Sequence, residues 1–431
     1  MLRLEETPPL GAPLRFLVTS PWFAVAAALL AVWSGPHSLA NPWSPQLLAT
    51  VHLFTLGTLS MTMVGALFQL SAVLGGRRIP FSGPLATVIH AALTVGIPLL
   101  ASVFLFPQWE VWRLAMGLVG GGLGLFAAAG MVALARADAG NHSIRALRLA
   151  VTAMAAVTLI GLLLLDSWET GMGLPAATLP LHLLWAGAGW VGILVAATAW
   201  QVVPMFQITP PYPEPFMRWM APVQISLLTA ITLLVLMDRE GGLLGWMWLV
   251  EPVATSPLTL FALITLRLQA RRRRRRWDIT VSLWRTGMIS LVGSLLLPLV
   301  IPLLPRELHL EGTVWRISVG LFLVGFTGSV ITGMLYKIVP FLLWLHLNLP
   351  RIRQGREMAP AGASNMKVFL PDQRARLQER LHLPALAAFT GALAWPPLLP
   401  VAGLMVAASW ALLGGNLLQA LAIYRRRKRA T

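Results

Sequence analysis

The chain has 431 residues, 57% of them hydrophobic and 11% charged, with a net charge of +17 and a mean hydropathy of +0.72. This balance excludes an ordinary soluble domain and places the chain among polytopic membrane proteins. It has no cysteine, which removes disulfides, thiolate metal sites and thiolate-ligated haem from consideration.

A helix needs about 20 apolar residues to cross about 30 Å of hydrocarbon. Glu5, Glu6, Pro8 and Pro9 precede an apolar run of helix length, which reads as a first span and not as a cleaved signal. Twelve spans follow in order, at 14–33, 46–75, 81–106, 111–135, 145–165, 178–206, 216–237, 243–267, 279–303, 313–345, 384–403 and 404–424. The sequence therefore predicts an all-α membrane domain over 1–431, with a cytoplasmic loop at 349–383. Asp372 in that loop opens a stretch, PDQRARLQERL, expected to form a short helix along the membrane surface.

Spans 2, 6 and 10 share one pattern. Span 2 reads Gly57, seven residues, Gly65, two residues, Phe68-Gln69, then Ala72. Span 6 reads Gly189, Ala197, Trp200-Gln201 and Pro204 at the same offsets, and span 10 reads Gly325, Gly333, Tyr336-Lys337 and Pro340. The copies lie 132 and 136 residues apart, four spans each time, which predicts three quasi-equivalent four-helix sets. That spacing does not suit the two inverted halves of most secondary transporters. Small residues also let any pair of membrane helices approach closely.

With both termini placed in the cytoplasm, all but Arg113, Arg239, Arg306 and Arg316 of the 33 Lys and Arg fall on the inner side. The positive-inside rule then gives a multi-pass inner (plasma) membrane protein of bacterial type with cytoplasmic termini. The run Arg271 to Arg276 falls between spans 8 and 9, where it reads as a contact for anionic lipids and not for nucleic acid.

Twelve spans, inner termini, three four-helix sets, and a histidine near the outer end of span 2 followed by GALFQLSAVLGG resemble the catalytic subunit of the haem-copper oxidase superfamily. More distantly, the chain resembles the haem- and copper-containing membrane proteins linked to nitric oxide tolerance, though without their histidine-rich opening motif. The resemblance implies that His52 is an axial ligand of a haem near the outer face, with Arg113 and Arg316 at the level of its propionates. It also implies other respiratory-chain subunits as partners.

The departures from that family are chemical. No histidine lies between Gly312 and Leu345, where the family has a pair, and none lies between Met217 and Arg306, where it has copper ligands. His182 is followed four residues later by Ala186, not by the family's tyrosine. Imidazole is what holds copper and haem iron. The chain is thus expected to lack a copper centre and not to be a terminal oxidase.

His52 would lie roughly 6–10 Å below the outer end of its span, either as a haem ligand or as an interfacial histidine bonded to a neighbouring helix. His182 enters span 6 from the same face, and His90 enters span 3 from the inner face. Either could pair with His52, or each could make an ordinary polar contact. Glu251, followed by Pro252 in span 8, reads as a proton-relay or cation group or as a structural acid. Gln69, Gln201 and Lys337 occupy one repeat position, which suggests a structural polar ring near the inner face or, less directly, a proton or ion path. His346 ends span 10 on the inner side, and His37, His142, His309 and His382 read as solvated loop residues. Three function classes follow: a haem protein of electron transfer, sensing or assembly, a cofactor-free transporter, and a structural subunit of a larger complex.

Overall fold

The computed structural model describes residues 4–430 apart from 139, 239–241, 274–275, 306, 308–309 and 355–365. His309 lies outside the described residues. The fold is helical, with ten helices long and apolar enough to cross a membrane, or eleven counting one bent pair as a single span. In chain order these are α1 (Gly11–Ser34), α2 (Pro45–Gly75), α3 (Ser82–Leu105), α4 (Trp112–Ala135), α5 (His142–Thr170), α6 (Thr178–Gln207), α7 (Glu214–Met237), the bent pair α8 (Trp248–Ala254 and Ser256–Ala270), α9 (Ile279–Leu303) and α10 (Glu311–Pro350). Then come α11 (Asp372–Ala394) and, as the last apolar span, α12 (Pro396–Arg429).

The last two helices differ from expectation. The segment after Pro371 is not a separate surface helix but the first half of α11, which runs unbroken to Ala394. Its Gln378 and His382 are buried against α10 and α12, so one face of this polar stretch has an interior to pack on. The chain turns at Trp395–Leu398, where Pro396 and Pro397 end one helix and begin the next, instead of between 403 and 404. Only α11 lacks the apolar length of a span, because Asp372 to His382 supplies charge and hydrogen-bonding groups along half of it.

The repeat in the sequence corresponds to a repeat in backbone geometry. Three eight-residue stretches are π-helical: Leu53–Ser60 in α2, Trp185–Gly192 in α6 and Leu321–Gly328 in α10. They start 132 and 136 residues apart, the same intervals as the sequence copies. The fifth residue of each is a glycine, Gly57, Gly189 or Gly325. Each glycine meets the helix before it. The Phe23 side chain of α1 fills the place of a Cβ on Gly57, while a Cβ would lie 3.0 Å from Ala153 Cβ of α5 at Gly189 and 2.7 Å from Ser290 Cβ of α9 at Gly325. Lipid removes most of the hydrophobic drive between helices, so close approach of small residues does the packing.

The π turns also meet one another. Trp190 of α6 donates from Nε1 to Ser60 Oγ of α2 at 3.3 Å. A Cβ on Gly187 of α6 would touch Phe322 of α10 at 3.4 Å, and one on Gly328 of α10 would lie 3.8 Å from Phe54 of α2. Three helices thus close a central triangle. Around it, Thr58 and Thr62 of α2 donate to the Ser20 carbonyl and hydroxyl of α1 at 3.1 and 2.8 Å, and α1 packs along α12.

Gly325→Val places two methyl groups where Ser290 stands, and is expected to destabilise the fold by about 1–3 kcal/mol. Its thermal midpoint in detergent should fall, while Gly83→Ala, with nothing within 4 Å of its Cβ, should leave it unchanged.

Between α6 and α7, Tyr212 is buried, stacked on Phe261 at 6.2 Å and hydrogen-bonded to Thr265 Oγ1 at 2.8 Å. Burial raises its phenol above the ordinary value, with the Thr265 bond offsetting part of the shift. The folded group therefore holds its proton more tightly than the unfolded one. Its contribution is complete below about pH 10 and declines as pH rises past that value. Tyr212→Phe should flatten the alkaline fall in thermal midpoint.

Candidate functional site

His52 is the last α-helical residue before the first π turn. Its Nδ1–H donates to the Leu48 carbonyl one turn back, at 2.8 Å. Because a carbonyl only accepts, this bond puts the proton on Nδ1 and leaves the Nε2 lone pair available. A backbone carbonyl holding one ring nitrogen is the usual arrangement behind a coordinating histidine. The Phe104 ring, near the end of α3, lies 5.4 Å from the imidazole, and Trp168 of α5 packs edge-on to Phe104 at 6.0 Å. Trp43 stacks on Trp168 at 6.4 Å, which extends the aromatic row behind Phe104.

His182, three residues before the second π turn, lies against Gly161 of α5, where a Cβ would come within 3.0 Å of its Cε1. Its Nδ1 is buried with no hydrogen-bond partner. The two imidazoles are within electrostatic reach of each other. Of the two partners the sequence offers for His52, only His182 has a long-range electrostatic interaction with it.

His90 is not brought there. Its Nε2 is hydrogen-bonded to Thr19 Oγ1 at 3.0 Å and its ring meets Phe16 edge-on at 5.2 Å, both on α1. Phe104, which touches His52, is 14 residues further along the same helix, or about 21 Å along its axis. His90 is thus a polar contact in the opposite half of the bundle.

The resemblance implies haem, and the residues present test it in two parts. At the position of α10 in register with His52 stands Gly320, covered by Leu393 and Phe389 of α11. Below it, Phe54 meets Trp410 edge-on at 5.9 Å. A haem between α2 and α10 does not fit this packing. Between α2 and α6 the donor set does suit iron, since His52 offers Nε2 and His182 has an orphaned Nδ1. Neither expected propionate partner turns toward that pair in its contacts. Arg113 lies over the Trp112 ring at 4.7 Å, while Arg316 donates to the Leu393 carbonyl at 3.2 Å and to Thr313 Oγ1 at 2.8 Å. Among the described residues, no three His, Cys, Asp or Glu side chains cluster as a metal site.

Gln69, Gln201 and Lys337 do not form a ring. Each faces the start of the helix that its own span packs on. Gln69 donates to Thr7 Oγ1, ahead of α1, at 3.4 Å. Lys337 pairs at 2.7 Å with Asp278, whose other oxygen caps α9 through Thr280 N–H at 2.9 Å. Gln201 lines a cavity of about 280 Å³ with Asp138, Asn141, His142 and Ser143 at the start of α5. Gln69 and Lys337 fasten helix starts, and the repeat position alone did not show this because their partners lie on other elements.

Other histidines are also placed. His37 is exposed. His142 is partly buried, with Arg145 at 2.6 Å and Glu214 at 3.7 Å. His382 is not a solvated loop residue: it is 3% exposed, with Nε2 2.9 Å from Ser329 Oγ and Nδ1 3.4 Å from Ser409 Oγ. His346 bonds the Leu342 carbonyl at 2.9 Å and the Pro8 carbonyl at 3.0 Å, joining α10 to the N-terminal segment.

Glu251 lies in the first half of α8, just ahead of a 54° bend at Thr255. Gln224, midway along α7, donates from Nε2 to the Ala254 carbonyl at 2.6 Å. The sequence reading passed over Gln224, although a lone glutamine in an otherwise apolar span was the available signal.

No protein-family model matches the chain, and a search of curated proteins finds no match.

Asp278→Ala is expected to cost about 1 kcal/mol for the cap and up to about 1 more for the ion pair. Asp278→Asn keeps the cap and should cost only the second part. A denaturation cycle with Lys337→Met separates the two.

Proposed function

We propose that this chain is an inner-membrane protein, with cytoplasmic termini, on the scaffold of the haem-copper oxidase catalytic subunit, and that it serves electron transfer without an oxygen-reducing copper centre. The convergence of His52 and His182 at the ends of two successive repeat spans is the observation that carries this reading. The twelve helices are read as three sets, α1–α4, α5–α8 and α9–α12. Supporting this is the way the second helix of each set presses its π-turn glycine on the first.

In this reading His52, through Nε2, and His182 are the residues that would hold one haem. When bound, the group supplies one-electron chemistry. The protein's part is orientation. The Leu48 carbonyl fixes the His52 tautomer and raises the basicity of its free nitrogen. Phe104 packs on one face of His52, with Trp168 and Trp43 stacked behind it. The stretches 313–345 and 218–305 offer no imidazole of the kind that holds copper in the family. At the opposite face, the arginines of 271–276 contact anionic lipid headgroups, and respiratory-chain subunits are the partners.

The protein purified from haem-replete cells should show a Soret band and reduced-minus-oxidised bands. His52→Ala should abolish them, and His182→Ala should convert a six-coordinate spectrum to a five-coordinate one. A colourless preparation would end the haem reading in favour of a cofactor-free structural subunit, for which the close packing of the π turns is the supporting observation.

A further inference from the structure

Two prolines interrupt α8. Pro252 cannot donate to the Trp248 carbonyl, and Pro257 cannot donate to that of Val253. Local side chains take up most of the freed backbone at the bend. Thr255 N and Oγ1 both donate to the Glu251 carbonyl, at 2.9 and 2.7 Å. Ser256 Oγ donates to Val253 at 2.8 Å, and Gln224 Nε2 to Ala254 at 2.6 Å.

Two side-chain groups at this bend are left over. Gln224 is fully buried, at 0% exposure, and its Oε1 has no donor. Glu251, one helical turn from Ala254 on the same side of α8, is half-buried, and no hydrogen bond or ion pair among the described residues reaches its carboxyl. Among the described residues, no other titratable group faces it from the helices packed on it. The α7 stretch 219–237 and the α9 stretch 286–303 contain no Asp, Glu, Lys, Arg or His, and on α8 the next charge is Arg267. Asp238 stands past the end of α7.

An ionised carboxylate in hydrocarbon is costly without a counter-charge. A metal cation gathers roughly six or more oxygens, and here the carbonyls of Glu251, Val253 and Ala254 already have donors. A proton needs only one. A protonated carboxyl also supplies what Gln224 lacks, an O–H to donate to Oε1. We propose that the bend of α8 is a proton-binding site, in which Glu251 carries the proton and Gln224, on α7, receives its hydrogen bond. Gain of that bond ties the first half of α8 to α7, and its loss frees the bend at Thr255. The site is independent of any group held by His52.

Infrared difference spectra of the full-length protein in lipid, taken between acidic and alkaline buffer, test this. A protonated-carboxyl band is expected that is lost in Glu251→Gln, retained at a shifted frequency in Glu251→Asp, and shifted in Gln224→Leu. Because the chain has no cysteine, spin labels at L249C and L263C, both exposed positions on either side of the bend, report its angle. Their separation should change with pH in the parent and not in Glu251→Gln. A band unaffected by Gln224→Leu, or a label distance independent of pH, would overturn the proposal. So would a band removed at constant pH by sodium chloride but not by choline chloride, which would make the site one for an alkali cation.

Discussion

The close approach of three glycines to three neighbouring helices is the constraint on which the rest of this structure depends. In water a helix pair is driven together by its apolar stripe, but between lipid tails that drive is almost absent. What remains is dispersion, which decays within a fraction of an ångström of gap. Gly57, Gly189 and Gly325 bring their backbones against Phe23, Ala153 and Ser290 closely enough to collect it. The π turn around each glycine widens the helix, and such turns occur disproportionately at functional positions. The placement of His52 and His182 follows from this, since both stand within three residues of a π turn whose position the glycine fixes.

Most of the fold was legible in the sequence because its signals are long or repeated. Apolar runs set the helices, and the glycine offsets at 57, 189 and 325 set which of them are related. The turn at Trp395 was misplaced because the segment from Asp372 carries the charge pattern of a surface helix. Its burial depends on Ser329 and Ser409, both far away in sequence. His382 was misjudged for the same reason, and so were the partners of Lys337 and Gln69.

The candidate site was legible only in part. His52 stood out because it is ionisable and lies within a span, but its partner could not be chosen from sequence. Depth favoured His182, but the family resemblance assigns that position to its other site, so neither histidine was preferred. Phe104 packs on His52, which fixes the height of α3 and puts His90 two-thirds of a membrane away. Gln224 was overlooked because a single glutamine carries no periodicity. Its meaning comes from the kink in a different helix. Polar residues in this chain thus act mainly across spans, and local text is a poor guide to them.

The contact of α1 with α12, reinforced by the bond from His346 to Pro8, has a consequence for biogenesis. Helix α1 finds its neighbour α12 only when the chain between them has been made. At about 5–20 residues per second, the stretch from Ser34 to Pro396 takes roughly 20 to 70 s. Throughout that time, Ser20 of α1 can be satisfied by Thr58 and Thr62 of α2, but the face that meets α12 is exposed to lipid. Closure of the bundle therefore waits on the synthesis of α12, and a ribosome that stalls before it leaves a chain that is inserted but open along one seam.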